Sequence, residues 1–579
     1  MSFVSVAYGL SVATIVLFGI GALFLAHRHQ RVRPDDTEFF LTARHSVPLR
    51  TIAWSFYSGG VGAWVMFSMP AFVVSAGIVG LAAYSFSCGL PIIIVARVGA
   101  VLHRKYPNVL SLGDFVQLRF GTIPTIIVTL VMLLNMFIAL CAEYTAIGNL
   151  MELVVGGSRL PIVLCVATVT SIYTAAGGLY VSILTDVAQG VFGVALLAVM
   201  AVYVAITYRP ESLPMPLPEK LGPNYWGWAA VIAMPISMTC ATIFSEGPWQ
   251  RIWASADERA LKQGSLLGAL GLTVVCFLYG FGGFLAIWAG YPASSEDGST
   301  AFFDLLGAGQ ATAPAWITIF AVLSTVTMNE GCVDSIQNGI VDTISSRFFR
   351  RKSVWYPRVL VFLINIPIVF VSLKGYNIIV LFLIGNLICT ICAVPLLLGL
   401  VDCLEGYVTG WSMVFGMISG FSSLVVFGFL KTGDIMDGMQ YVFIDAYDWP
   451  SFVLPVVFSI IGVFIAVAVE GVIRQACGFT NSVPLKATHQ NHTGHMENDT
   501  SCMTGYVENN VNDPSIAEGR QEVLEPSSAL SSLPLMHRQL EKMKKMLGLK
   551  PGHANFQPNY ESAGPSRNNY GTFGREDST

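Results

Sequence analysis

The chain has 579 residues, 54% hydrophobic and only 12% charged, with a formal net charge of −4. A soluble domain carries about twice that charged fraction, and a balance this slight gives no reason to expect a nucleic-acid partner. Peptide groups find no water inside a bilayer, so spanning segments are helices or closed barrels, and the apolar runs here far exceed barrel strands of about ten alternating residues. The expected fold class is an all-α polytopic membrane protein with about 13 transmembrane helices.

In chain order, the first apolar run (5–26) has no basic residue before it and Arg28, Arg31 and Arg33 after it, so it reads as a retained helix rather than a cleaved signal. Further spans are expected at 51–70, 78–101, 122–150, 158–177, 180–207, 226–249, 264–290, 312–345, 357–373, 377–401, 408–430 and 451–474. The loops 27–50, 102–121, 250–262 and 346–358 hold sixteen Lys and Arg, whereas the alternate loops hold five: Arg159, Arg209, Lys220, Lys374 and Lys431. Positive-inside bias then puts the N-terminus outside and the C-terminus in the cytoplasm of a multi-pass protein, with the plasma membrane as the expected location. Residues 1–34 form a leading helix with its inner loop, and 35–475 the core. Residues 480–579, rich in Asn, Ser, Gly, His and Pro, read as a disordered cytoplasmic tail where regulatory partners could bind.

Within the tail, Met536, Leu540, Met543 and Leu547 recur at helical spacing beside Arg538, Lys542, Lys544 and Lys545. That island reads as an inner-leaflet helix, a partner-binding helix or a transient one. His489, His492 and His495 read as polar filler or as a weak metal tract, and the sequons at Asn491 and Asn498 are expected to stay unused on the cytoplasmic side. Eleven cysteines suggest no disulfide framework. No Walker A pattern and no zinc or nucleophile constellation appears, so an enzyme is not expected.

Off-helix backbone at membrane depth is tolerated where it lines a cavity, so Gly-rich polar segments inside apolar runs point to ion or solute sites. Trp54-Ser-Phe-Tyr-Ser-Gly-Gly-Val-Gly-Ala-Trp64 is one such segment, and close helix packing through small residues is its alternative. A second segment, 237–251, carries Glu246 beside Gly247-Pro248, which is expected to break that helix.

Ile172-Tyr-Thr-Ala-Ala-Gly-Gly-Leu179 followed by Thr185-Asp-Val-Ala-Gln189 resembles the Y-T-x-x-G-G-L…T-D-x-x-Q signature of the sodium:solute symporter family. The segments 52–57, 112–121, 142–148 and 249–255 resemble its urea active transporter branch. The resemblance covers about 35–475. It implies a LeuT-like core of two inverted five-helix repeats, 51–207 and 226–401, followed by two trailing helices. It further implies a solute site between the broken first helices of the repeats, and a sodium site using carbonyls that match Tyr57 and Gly60. The family adds two adjacent hydroxyls to that site from the eighth core helix. An ungapped match puts Gly331 and Cys332 there, so Thr325, Thr327 and Ser335 serve only with a shift of register.

The same helix brings Glu330 and Asp334 onto one face, a turn apart. Carboxylates that close in low dielectric repel, a device that suits proton coupling; a reshaped sodium site at Tyr57, Gly60 and Ser335, or a purely structural role, are the alternatives. Asp186 reads as an inner-gate or ion-exit carboxylate, or as the partner of an inner-loop Arg. Gln250-Arg251 reads as a clamp on a carboxylate or phosphate. Solute-binding candidates are Ser58, Gly59, Trp64, Tyr84, Glu143 and Glu246, with Trp54, Trp64 and Tyr84 as an aromatic wall. The expected function is secondary active symport of a small polar solute, urea or a related amide or amine, driven by sodium or protons with no other cofactor. A non-transporting nutrient sensor is the second reading.

Overall fold

The computed structural model describes residues 2–476 apart from 31–36, 108, 209–216, 292–297, 308–312, 349–352, 354 and 446. The tail, with its island, histidines and sequons, lies outside the described residues. The first half of the chain forms α1 (Phe3–Gln30), α2 (Thr37–Thr42), α3 (Leu49–Ser58), α4 (Val65–Lys105), α5 (Leu112–Phe120), α6 (Thr122–Asn149) and α7 (Arg159–Thr207). The second half forms α8 (Tyr225–Ile243), α9 (Glu246–Ala254), α10 (Glu258–Trp288), α11 (Ala301–Leu306), α12 (Ala315–Phe348), α13 (Trp355–Ser372) and α14 (Ile378–Leu398). Three further helices follow: α15 (Gly410–Thr432), α16 (Ile435–Gln440) and α17 (Trp449–Ala476).

Among the described residues, eleven helices are long and apolar enough to cross a membrane. Two of them are double. α4 has 41 residues and α7 has 49, roughly 60 and 75 Å at the α-helical rise, where ~30 Å spans a bilayer. Each reverses at one glycine, Gly77 (φ 61°, ψ −160°) and Gly178 (φ 61°, ψ −161°), a conformation that a Cβ makes costly. Neighbouring backbone also forbids the side chain. A Cβ would sit 2.5 Å from the Gly222 carbonyl oxygen at the first joint and 2.5 Å from that of Phe40 at the second. Splitting both helices gives the thirteen spans expected.

Two five-helix units result, α3–α7 and α8–α14, each opening with a broken helix. In the first unit α3 is followed, after a gap at Gly59–Trp64, by the half-helix 65–76. In the second, α8 is followed by α9. Local chemistry starts several of these helices: Asn224 accepts from Gly227 N (2.8 Å), Asp257 from Ala260 N (2.6 Å) and Ser111 from Asp114 N (3.1 Å). α4 packs on α8 and α10, and α12 packs on α6 and α7. Lipid-type side chains such as Leu17, Phe24, Leu270, Phe370 and Leu430 stay exposed on the outer faces.

The segment leading into α3 is laced to the end of α9. His45 N donates to Trp253 O (3.1 Å), Ser46 N and Val47 N to Ala254 O (3.1 and 2.9 Å), and Ala256 N back to Val47 O (2.9 Å). Cys389 and Cys392 stand three positions apart on α14, a Cys-x-x-Cys spacing, as buried free thiols.

Candidate solute and ion sites

The first break spans Gly59–Trp64. Its backbone is partly self-satisfied: Gly60 N and Val61 N both donate to Tyr57 O (3.1 and 3.0 Å). The Tyr57 carbonyl matched to sodium is therefore already engaged by two donors. The second break falls at Phe244–Ser245, not at Gly247-Pro248. Pro248 stands in the first turn of α9, where its missing N–H leaves no intrahelical bond unmade, so it starts the new helix instead of ending the old one.

A cavity of about 190 Å³ lies between the two breaks. Gly59, Gly60 and Trp64 line it from the first break, and Thr242, Ser245 and Arg251 from the second. Asn135 of α6, Asn386 and Phe382 of α14, and Phe56 complete its polar and aromatic wall. Phe382 meets Trp64 edge to face at 5.4 Å. Asn386 is oriented by donating to Ser237 Oγ (2.8 Å), and Asn135 by donating to Ala241 O (3.0 Å). Neither amide is among the expected ligands, although a lone Asn in an apolar helix is the signal that marks them.

Several expected solute ligands stand elsewhere. Ser58 faces α12, where a Cβ on Gly331 would lie 2.7 Å from its hydroxyl. Tyr84 backs Trp64 (ring centroids 6.2 Å apart) without lining the cavity. Trp54 packs on α7 at Gly190. Glu143 and Glu246 are buried outside the cavity wall. Glu246 begins α9 beside Met136, and neither of its oxygens has a hydrogen-bond partner.

Arg251 forms the floor. Its Nη2 donates to Asp186 Oδ2 (2.9 Å) and Ser335 Oγ (2.7 Å), its Nε to Ser55 O (2.9 Å) and Ser55 Oγ (2.8 Å), and its Nη1 to Gly247 O (3.0 Å). Ser55 Oγ donates to the same Asp186 oxygen (2.5 Å). One guanidinium thus ties α3, α7, α9 and α12 together, with both charges of the pair buried. A Cβ on Gly59 would fall within the guanidinium. The clamp reading of Arg251 and the ion-pair reading of Asp186 therefore describe a single contact.

Ser335 borders the first break, where a Cβ on Gly59 would lie 3.1 Å from its hydroxyl. Thr325 and Thr327 bond to Ala321 O and Leu323 O of their own helix (2.8 Å each), and Thr325 also donates to Met66 Sδ (2.7 Å). They stand about 15 and 12 Å from Ser335 along the axis, so the three hydroxyls do not form one site. Glu330 and Asp334 lie fully buried between α12 and α7. Both Glu330 oxygens and Asp334 Oδ2 lack a well-formed hydrogen bond, as do polar atoms of Tyr173, Ser182 and Gln189. Among the described residues, no group of three His, Cys, Asp or Glu is arranged to hold a metal.

Broken helices around a central cavity, within paired five-helix units, define a LeuT-like fold. Residues 39–209 match the model of the Sodium:solute symporter family, which bears out the resemblance carried by the signature motifs. A curated relative, the spermidine transporter DUR31 of Candida albicans, is 29% identical over 425 residues, covering 72% of this chain and 81% of that one. Among solved structures, a Na+-coupled sialic acid symporter in a substrate-bound outward-open state matches at TM-score 0.62 with 14% identity, covering 80% of this chain and 98% of that one. Mhp1, a nucleobase-cation-symport-1 family transporter, matches at TM-score 0.52 with 12% identity, covering 76% and 96%. These matches support a symporter in a multi-pass membrane setting.

Proposed function

We propose that the chain is a secondary active symporter for a small neutral amide-like solute, urea foremost, acting at the plasma membrane with its N-terminus outside and its C-terminus in the cytoplasm. The observation that carries this is the cavity wall. Asn135, Asn386, Thr242 and Ser245 supply neutral donors and acceptors between aromatic faces, and no carboxylate lines the space. Its single charged lining residue, Arg251, is already paired with Asp186. A polyamine would need carboxylates and would meet a guanidinium instead. Spermidine, which the Candida relative is named for, is the competing solute. Uptake of labelled urea and labelled spermidine in a host lacking its own carriers tests the choice. Saturable urea uptake that excess spermidine leaves unchanged is expected. Spermidine uptake without urea uptake would reverse the assignment, and no uptake of a broad panel would favour the sensor reading.

For coupling, Glu330 and Asp334 lie buried on one face of α12, while the cation Arg251 is bonded to Asp186. Buried carboxylates without a counter-charge take up a proton or a cation. Glu330 has no well-formed hydrogen bond, whereas sodium needs several oxygens around it. This favours protons at Glu330 and Asp334 over sodium at Tyr57, Gly60 and Ser335. Uptake that rises as outside pH falls and depends little on sodium is the expected result; sodium-dependent uptake flat in pH would restore the sodium site.

A further inference from the structure

The second break leaves two carbonyls without backbone donors. Phe244 N donates to Cys240 O (3.3 Å) and Ser245 N to Thr242 O (3.2 Å), which passes over the Ala241 carbonyl between them. The Phe244 carbonyl faces Pro248 four residues on, and proline has no N–H to give it. Asn135 of α6 serves both: its Nδ2 donates to Ala241 O at 3.0 Å and to Phe244 O at 3.4 Å. Carbonyls only accept, so this amide is held with its NH2 group toward the break and its Oδ1 turned away, against Gly385 of α14, where an added Cβ would lie 3.3 Å from it. The next residue of α14, Asn386, is held alike. Its Nδ2 donates to Ser237 Oγ (2.8 Å), with Tyr447 Oη at 3.5 Å and the Met238 thioether at 3.8 Å. Both amides line the central cavity and are otherwise buried, 9% and 3% exposed. Among the described residues neither Oδ1 accepts a hydrogen bond, and neither is sealed off by packing, so both stay open to the cavity. A solute carbonyl can be met at the floor, where Arg251 Nη1 spends one hydrogen on Gly247 O and has a second.

We propose that the cavity grips its solute by N–H groups: Asn135 and Asn386, their own NH2 groups already spent, present two carbonyl oxygens, and a solute without N–H donors is rejected however well it fits. The solute class is therefore primary amides and ureas read through the NH2 end, with the carbonyl end secondary. An analogue carrying CH3 in place of NH2 leaves an oxygen buried and unpaired, which costs more than a missing contact. The inference rests on the cavity being the solute site; it does not depend on which N–H donor is carried.

The experiment keeps the full-length protein intact and changes the solute. Uptake of labelled urea is measured against acetamide and acetone, which share a shape and a carbonyl and differ by NH2 for CH3. Acetamide should inhibit at least about tenfold more strongly than acetone, and thiourea, which keeps every N–H and loses the oxygen, should still inhibit. Equal inhibition by acetamide and acetone, or thiourea without effect, would overturn the proposal. Asn135→Ala and Asn386→Ala should each bring the acetamide preference down to about twofold; the full preference in both variants would overturn the assignment to these residues, and if neither variant folds the wild-type comparison decides alone. Should the wild type carry labelled spermidine and not urea, the amide reading fails, and the N–H reading is decided by methylammonium against tetramethylammonium, of which only the first should inhibit. A wild type that carries neither counts against the symporter reading. The pair is then read on protein purified in detergent, where acetamide should raise the unfolding midpoint above that in equal acetone by about 1 °C, and no difference would overturn the proposal.

Discussion

The two broken helices hold equivalent places in their repeats and use opposite chemistry. The first gap is six residues long, contains Gly59, Gly60 and Gly62, and receives a carboxylate from α6. The second is two residues long, Phe244 and Ser245, has no glycine, and projects a guanidinium from the helix that follows it. A long flexible gap needs an outside partner for its exposed amides. A short one closes on itself and can carry the cation that holds its neighbours. Both charges are met within the protein, so the cavity wall offers neutral groups apart from a guanidinium already paired with Asp186.

The comparison predicts a strong asymmetry toward added side chains. Gly59→Ala and Gly60→Leu should each lower uptake at least ~100-fold with surface abundance retained, because the first Cβ meets Arg251 and the second lies 2.9 Å from Leu272. Gly247, beside the second gap, offers only ordinary contact at 3.5 Å, and its Ala variant marks the other end of the scale. Equal sensitivity in both places would erase the distinction. The buried ion pair comes next. Arg251→Met should cost about 3–5 kcal/mol of stability by stranding Asp186, and the double variant Arg251→Met with Asp186→Leu should recover part of that loss. Unfolding midpoints of the three proteins measure this, and a double variant weaker than either single one would mean the pair is not the principal bond of the second break.

Glu330→Gln and Asp334→Asn should each flatten the rise of uptake with falling outside pH while leaving both breaks intact. Persistence of the slope in both variants would remove these carboxylates from coupling. A smaller effect is expected at the wall: Asn386→Leu should raise KM for urea about tenfold, since a site built to hydrogen-bond its solute is left unpaired without it. The least change belongs to Gly247→Ala, whose uptake should stay within about twofold of wild type, and a larger loss would show that the second gap also demands a bare backbone.

Much of this architecture is legible from apolar runs. All thirteen spans emerge near their expected positions, because ~20 apolar residues and a missing water phase leave one solution. The first break was readable from three glycines within four residues. The second was displaced by three residues because Pro248 ends helices only in their interior, and its actual place in a first turn shows only in the backbone. The site was less legible. Arg251 meets Asp186 and Ser335 across 65 and 84 residues, a contact that no local pattern encodes. Asn135 and Asn386 carry a readable signal, whereas the more conspicuous carboxylates are paired internally or lie outside the cavity wall.

The lacing between 45–47 and 253–256 gives the fold a mechanical division. Four backbone bonds weld the half-helix before the first gap to the half-helix after the second, so a swing of α3 carries α9 with it. Gly77 joins the other half of the first broken helix to the next span with no slack. The two halves of that broken helix are thus anchored to different neighbours, with Gly59–Trp64 between them. Any displacement of one anchor relative to the other would fall on those six residues, three of which border the cavity.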